Sequence, residues 1–382
     1  MKRKRIAILQ RVCTSYRASL FQLLSAKDDV DMHVFFGDDL PNSKVKSAKS
    51  LEGFHNTGLP TRFITLFGRQ LVWHRGLRKR LANFAPDVII CEGESNFLNY
   101  LQAFWFVCLN PEVKLIQWTL GGLPNPPTRP AIVRRFVRWL RSHFDAYICY
   151  SSFGKKILVG EGIPEENIFV AVNVSDTQAH LYKAEKYLKE PHLAREELGI
   201  DDREFICLFV GAIEENKRLE VILEAFSKMP DRAARLMIVG DGKDKARLES
   251  FVRQSAIKNV SFEGRMTQGL EKYYASADLF LLPGRGGMVI SEAMACGLPV
   301  VACAADGTEH DLIVDKKNGM LLASNDAQSF LEAIQWCQNN LNEIAPWSAN
   351  ARVQINNNYN TDAMCQEILK AVYFVSKPSS ER

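Results

Sequence analysis

The sequence predicts an α/β fold of two doubly wound parallel-sheet domains with a cleft between them. Three observations support this. At 382 residues the chain exceeds what one hydrophobic core usually organises. Short apolar runs alternate with longer amphipathic segments, the rhythm of βαβ units. Each half also carries enough such runs for a sheet of its own. In the first half the strands are expected at Arg5–Leu9, Met32–Phe36, Val88–Cys91, Lys114–Trp118 and Ala146–Tyr150. In the second they are expected at Phe205–Val210, Arg235–Val239, Val260–Phe262, Leu279–Leu282 and Val300–Ala302. The polar stretch Val172–Leu198 reads as the junction, and Ala351–Ser376 as late and helical. The domains are therefore drawn at 1–175 and 176–355, with 356–382 a C-terminal helix returning to the first domain. The tail from Lys377 reads as frayed.

Composition narrows the class. Hydrophobic residues make up 47% and charged ones 24%, the balance of a globular protein. Nine cysteines are scattered without a CxxC pair, so neither a disulfide framework nor a zinc site is indicated, and a reducing cytosol fits best. The apolar run Ile6–Leu9 after the basic start is too short for a signal peptide, and no stretch is long enough to span a membrane. Residues 1–180 carry 24 Lys and Arg against 15 Asp and Glu, whereas the remainder carries 24 against 29. A basic first half suggests an anionic partner, a phospholipid surface or a phosphorylated acceptor. Solvated surface arginines would give the same count.

The most informative segment is Ala277–Val301. A buried strand ends at Pro283, the turn Gly284-Arg285-Gly286-Gly287 follows, and a helix begins near Met288. Glycines at a strand-to-helix turn let backbone approach a ligand. The amides at the helix start, those of Gly287, Met288 and Val289, can then bind phosphate. Glu292, one turn on, can accept hydrogen bonds from ribose hydroxyls. A turn of this kind also serves packing alone.

Together with four further segments, this stretch resembles the donor half of the family-four, or group 1, glycosyltransferases. Those segments are Phe209–Lys217, Met237–Gly242, Val260–Met266 and Thr308–Gly319. The resemblance implies the GT-B fold of two Rossmann-like domains, acceptor-side first and donor-side second. It implies transfer of a hexose-type sugar from a UDP- or GDP-sugar to a glycan or lipid-linked acceptor, with retention, in polysaccharide or glycoconjugate biosynthesis. No cofactor, metal or nucleic acid is implied. Lys217 would contact the diphosphate, Arg265 and Met266 the base, and Glu292 the ribose. Gly211, Gly240, Gly286, Gly287, Met288 and Val289 would shape the donor site, with Lys217 and Glu292 as the catalytic candidates.

Two departures stand out. The family's carboxylate eight positions before Glu292 is here Gly284. Its arginine after the glycine that opens the second domain is here Ala212, with Arg218, Arg285 and Arg17 as possible replacements for the charge. They motivate a rival reading, a non-catalytic nucleotide-sugar-binding scaffold; an epimerase lacks a suitable acid–base cluster.

In the first half the strand end Gln10–Phe21 lacks a GxGxxG fingerprint, which argues against a dehydrogenase. Tyr16, Arg17 and Trp118 are the acceptor-side candidates, expected at the carboxyl ends of strands. His143 and His310 read as structural or surface residues. Arg129–Phe144 reads as a helix with Arg134, Arg138 and Arg141 on one face and Val133, Phe136, Val137, Leu140 and Phe144 on the other. With Arg75, Arg78, Lys79 and Arg80 it could touch a membrane from the cytoplasm, although packing on a sheet would explain it as well.

Overall fold

A computed structural model describes residues 3–378, apart from 40–45, 49, 67–68, 94–97, 125–130, 231–232 and 267. The end of the tail and the first two residues of the arginine-rich segment thus lie outside the described residues. The chain forms two compact units, Met1–Val172 with Thr361–Arg382, and Asn173–Asn360.

The first unit contains strands β1 Lys4–Gln10, β2 Val30–Gly37, β3 His55–Leu59, β4 Thr61–Leu66, β5 Arg69–His74, β6 Val88–Glu92, β7 Lys114–Thr119, β8 Ala146–Cys149 and β9 Ile168–Val170. Seven of them form a parallel sheet in the order β3-β2-β1-β6-β7-β8-β9, while β4 and β5 pair as a hairpin. Alternate side chains of β1 feed opposite cores: Ile6 and Ile8 one, Ala7 and Leu9 the other. The first core is covered by the helices Ala18–Ser25 and Thr361–Ser376; Ile368, Val372 and Val375 of the latter are fully buried against the sheet.

The second unit contains β10 Ile206–Val210, β11 Arg235–Val239, β12 Val260–Gly264, β13 Leu279–Leu282, β14 Val300–Cys303 and β15 Gly319–Leu322. All pair in parallel, in the order β12-β11-β10-β13-β14-β15. This is the doubly wound order, with chain direction across the sheet reversing between β10 and β13. Ligands of such sheets bind outside the carboxyl ends of the strands at that reversal. The junction stretch is two helices of this unit, Thr177–Lys189 and Pro191–Leu198. Asp176 caps the first by accepting from the Ala179 amide at 3.1 Å.

The strands not anticipated are β3, β4, β5, β9 and β15. β3, β4 and β5 mix polar with apolar residues, while β9 and β15 are short apolar runs at the edges of their sheets.

Candidate functional site

The loops after β10, β11, β12, β13 and β14 bring the donor-side candidates to one edge of the second sheet. Gly211 donates to Val239 O at 3.0 Å, and Gly240 to Gly264 O at 2.8 Å, tying the first three loops together. Arg265, exposed, and Met266, half-buried, follow β12 at the sheet's end.

Lys217 and the glycine turn meet at the β10–β13 reversal. The Lys217 ammonium donates to the Arg285 carbonyl, and a Cβ placed on Gly286 would lie 3.2 Å from Nζ. Burial pulls this ammonium below its ordinary value, against the opposing pull of Asp306 and Glu214. Gly284 explains one departure from the family pattern. A Cβ there would lie 2.4 Å from Asn216 O and 2.6 Å from Lys217 Cα, so lysine-loop backbone fills the space a side chain would need.

The helix Gly287–Ala295 starts as anticipated, but its amides are not all open. Gly286 and Gly287 both donate to Asp306 Oδ2 at 3.2 Å, and Val289 donates to Gly286 O at 3.0 Å. Asp306 thus caps the helix from the loop after β14. Its other oxygen accepts from Thr308 N at 3.2 Å and Thr308 Oγ1 at 2.5 Å. Gly287 must be glycine here, since a Cβ would fall 1.8 Å from Thr308 Oγ1. Behind Asp306, the buried Glu309 accepts from Gly307 N at 3.1 Å. Burial, then the charge of Asp306, push its carboxyl up to about 7.

Glu292 points into a cluster that sequence reasoning missed. Tyr274 donates to it at 3.0 Å, His180 Nε2 stands 3.9 Å away, and His180 Nδ1 pairs with Glu271 at 3.3 Å. Burial raises the Glu292 carboxyl, with His180 and Tyr274 acting against it. Burial alone would lower His180, but Glu271 and Glu292 outweigh it and the net shift is upward. The available signal was a lone histidine four residues after a helix-capping aspartate, inside a stretch read as a linker.

Arg218, the replacement next to Lys217, donates to Asn325 O at 3.2 Å. Arg17 lies in the other unit. It is 4% exposed and stacks on Trp118 at 4.3 Å, with Tyr150 and Tyr16 at 5.3 and 5.4 Å. Tyr16, Arg17 and Trp118 therefore form one cluster, whose charge is spent on ring faces. The arginine-rich helix spans Ala131–Arg141, and two expectations for it change. Arg141 turns inward to Glu161 at 2.6 Å and Gly121 O at 3.0 Å instead of joining the basic face. Phe136 is exposed, as are Ile132 and Trp139, while Leu140 packs against the core; the side chain of Val133 lies outside the described residues. His143 is exposed and bonds the Trp139 carbonyl at 2.7 Å; His310 is also exposed. Among the described residues, no group of His, Cys, Asp or Glu is arranged to hold a metal.

Residues 192–354 match the family described as glycosyl transferases, group 1. A GDP-mannose-dependent alpha-mannosyltransferase of Mycobacterium tuberculosis is 39% identical over 219 residues, 56% of this chain and 53% of the relative. A sulfoquinovosyl transferase of Arabidopsis thaliana is 36% identical over 118 residues, 30% of this chain and 22% of the relative. A D-inositol 3-phosphate glycosyltransferase of Mycobacterium sp. (strain KMS) is 34% identical over 124 residues, 30% of this chain and 28% of the relative. This chain thus spans about half or less of these relatives' lengths. In fold the likeness covers nearly everything. The crystal structure of Anabaena Alr3699/HepE in complex with UDP superposes with a TM-score of 0.74 at 18% identity, over 97% of this chain and 100% of that one. The apo lipopolysaccharide outer core galactosyltransferase WaaB gives 0.72 at 15% identity, over 97% and 99%. Residues 192–354, within the second unit, thus carry the likeness to the group 1 glycosyl transferases, and the fold of both units is the Rossmann-like GT-B architecture.

Proposed function

We propose that the protein transfers a hexose-type sugar from a UDP- or GDP-sugar to a glycan or lipid-linked acceptor, with retention of anomeric configuration. The observation that carries this reading is the meeting of Lys217 with the Gly284–Gly287 turn at the reversal of the second sheet. An ammonium and helix-start amides converging there suit a diphosphate. The UDP-bound neighbour and the GDP-mannose-dependent relative support a nucleotide-sugar donor. In the reaction the bond from the anomeric carbon to the diphosphate breaks, a bond to an acceptor oxygen forms, and the hydroxyl proton is released. Lys217 and the turn amides stabilise charge growing on the leaving diphosphate. Glu292, oriented by Tyr274, takes the ribose hydroxyls, and Arg265 and Met266 flank the base. The residues proposed here supply this chemistry without a metal or cofactor.

The acceptor belongs to the first unit, where the half-buried Tyr16 is the accessible member of the cluster and the buried Arg17 and Trp118 support it. A cytoplasmic location at the membrane's inner face fits the same unit. Exposed Ile132, Phe136 and Trp139 lie among Arg134, Arg135 and Arg138. Nearby, Trp105 stacks with Arg78 at 5.5 Å beside a groove of about 600 Å³ lined by Arg78, Lys79, Phe106 and Leu109. Arginines interleaved with exposed aromatics suit an anionic lipid interface. Among the described residues, no helix is long and apolar enough to cross a membrane.

A scaffold that binds donor without turnover is the second reading, favoured by Gly284 and Ala212. Incubation with UDP-glucose or GDP-mannose and a lipid extract separates the two. Release of nucleoside diphosphate with a retained-configuration product supports transfer. Binding without donor consumption supports the scaffold, and an inverted product sinks the proposed stereochemistry.

A further inference from the structure

We infer that Asp306 is a built-in competitor for the donor diphosphate, its carboxylate occupying the amides that the phosphate needs. This rests on the reading of the glycine turn as the diphosphate site. Three observations support it. Asp306 Oδ2 accepts from both Gly286 N and Gly287 N at 3.2 Å, so one anionic oxygen already sits at the helix start. The segment behind it is pressed onto the turn, with Thr308 bonding Oδ1 and lying against Gly287. Lys217, the cation at the same turn, feels the Asp306 charge.

A phosphate oxygen and this carboxylate oxygen cannot both lie in line with the same two N–H groups. Two anions brought together there also repel each other. Donor binding therefore requires the Asp306 side chain to turn away, and Asp306 is half-buried rather than sealed, which leaves it solvent to turn into. Glu309, which packs behind it, keeps a second carboxyl close to the incoming phosphate. Asp306 thereby caps the helix end and sets donor affinity below what Lys217 and the amides could reach alone.

The test is titration of the full chain, as wild type, Asp306→Asn and Asp306→Ala, with inorganic pyrophosphate, UDP and GDP, with a thermal melt of each. Asn keeps the shape and removes the charge; Ala also vacates the amides. The expected result is binding tightened about tenfold for pyrophosphate and for whichever nucleotide binds, the scale of a charge at a helix end. The melting temperature should fall at the same time in Asp306→Ala, which loses the cap, and change little in Asp306→Asn, whose amide oxygen still accepts from the same two amides. A purely structural Asp306 would lower both stability and affinity. If the wild type binds and the variants bind equally or more weakly, this inference falls and the donor site stands. If wild type and variants bind none of the three probes, the diphosphate reading fails and takes the inference with it.

Discussion

At Gly284 one methyl group tests how tightly the lysine loop packs on the glycine turn. Gly284→Ala should destabilise the second unit by about 1–3 kcal/mol in urea unfolding, because the new Cβ meets backbone that cannot swing aside. A carboxylate could not be restored at 284 for the same reason. A second residue-scale prediction concerns Glu309, whose carboxyl is raised to about 7 from 4.5. Between those values the folded chain keeps a proton that the unfolded chain has lost. Stability should therefore fall as pH rises from about 4.5 to about 7 and level off above it. Glu309→Gln should flatten that part of a melting-temperature profile; an unchanged profile would remove Glu309 as its source. Lys217, Gly286 and Glu292 could be named as candidates from the sequence because each sits in a contiguous motif. Asp306 and His180 were not, because their partners lie 20 and 112 residues away, and only the parallel topology brings them together.

Among the elements, the doubly covered strands were the readable ones. β1, β6, β10 and β13 are continuous apolar runs, since both faces are buried. β3, His-Asn-Thr-Gly-Leu at the edge of its sheet, has no such run, and its pairing with β2 comes from the strand beside it. The helix Thr361–Ser376, read in the sequence as returning to the first domain, covers one face of a sheet whose strands lie mostly more than 200 residues earlier. Ile368→Ala should cost about 2–5 kcal/mol. Hydrogen exchange should show the loss in β1, β7 and β8 and leave β10–β14 protected. Equal loss in both units would mean that they unfold as one.

For the molecule as a whole, chain order and architecture do not coincide: the first unit is completed by the last helix, while the second is one continuous segment. A fragment of residues 173–360 should therefore fold cooperatively by itself, as followed by circular dichroism on heating. A fragment of residues 1–172 should not, because it lacks the helix covering one face of its sheet. The opposite outcome would mean that the helix adds little to the first unit. If the second unit holds a nucleotide-sugar donor at the glycine turn, isothermal titration of the full chain will read it out. The ligands are UDP, GDP, UDP-glucose and GDP-mannose, with Glu292→Ala as the paired variant. Micromolar binding of one nucleotide and its sugar is expected, weakened about tenfold or more in the variant. No binding of any of the four, or equal binding by the variant, would contradict it.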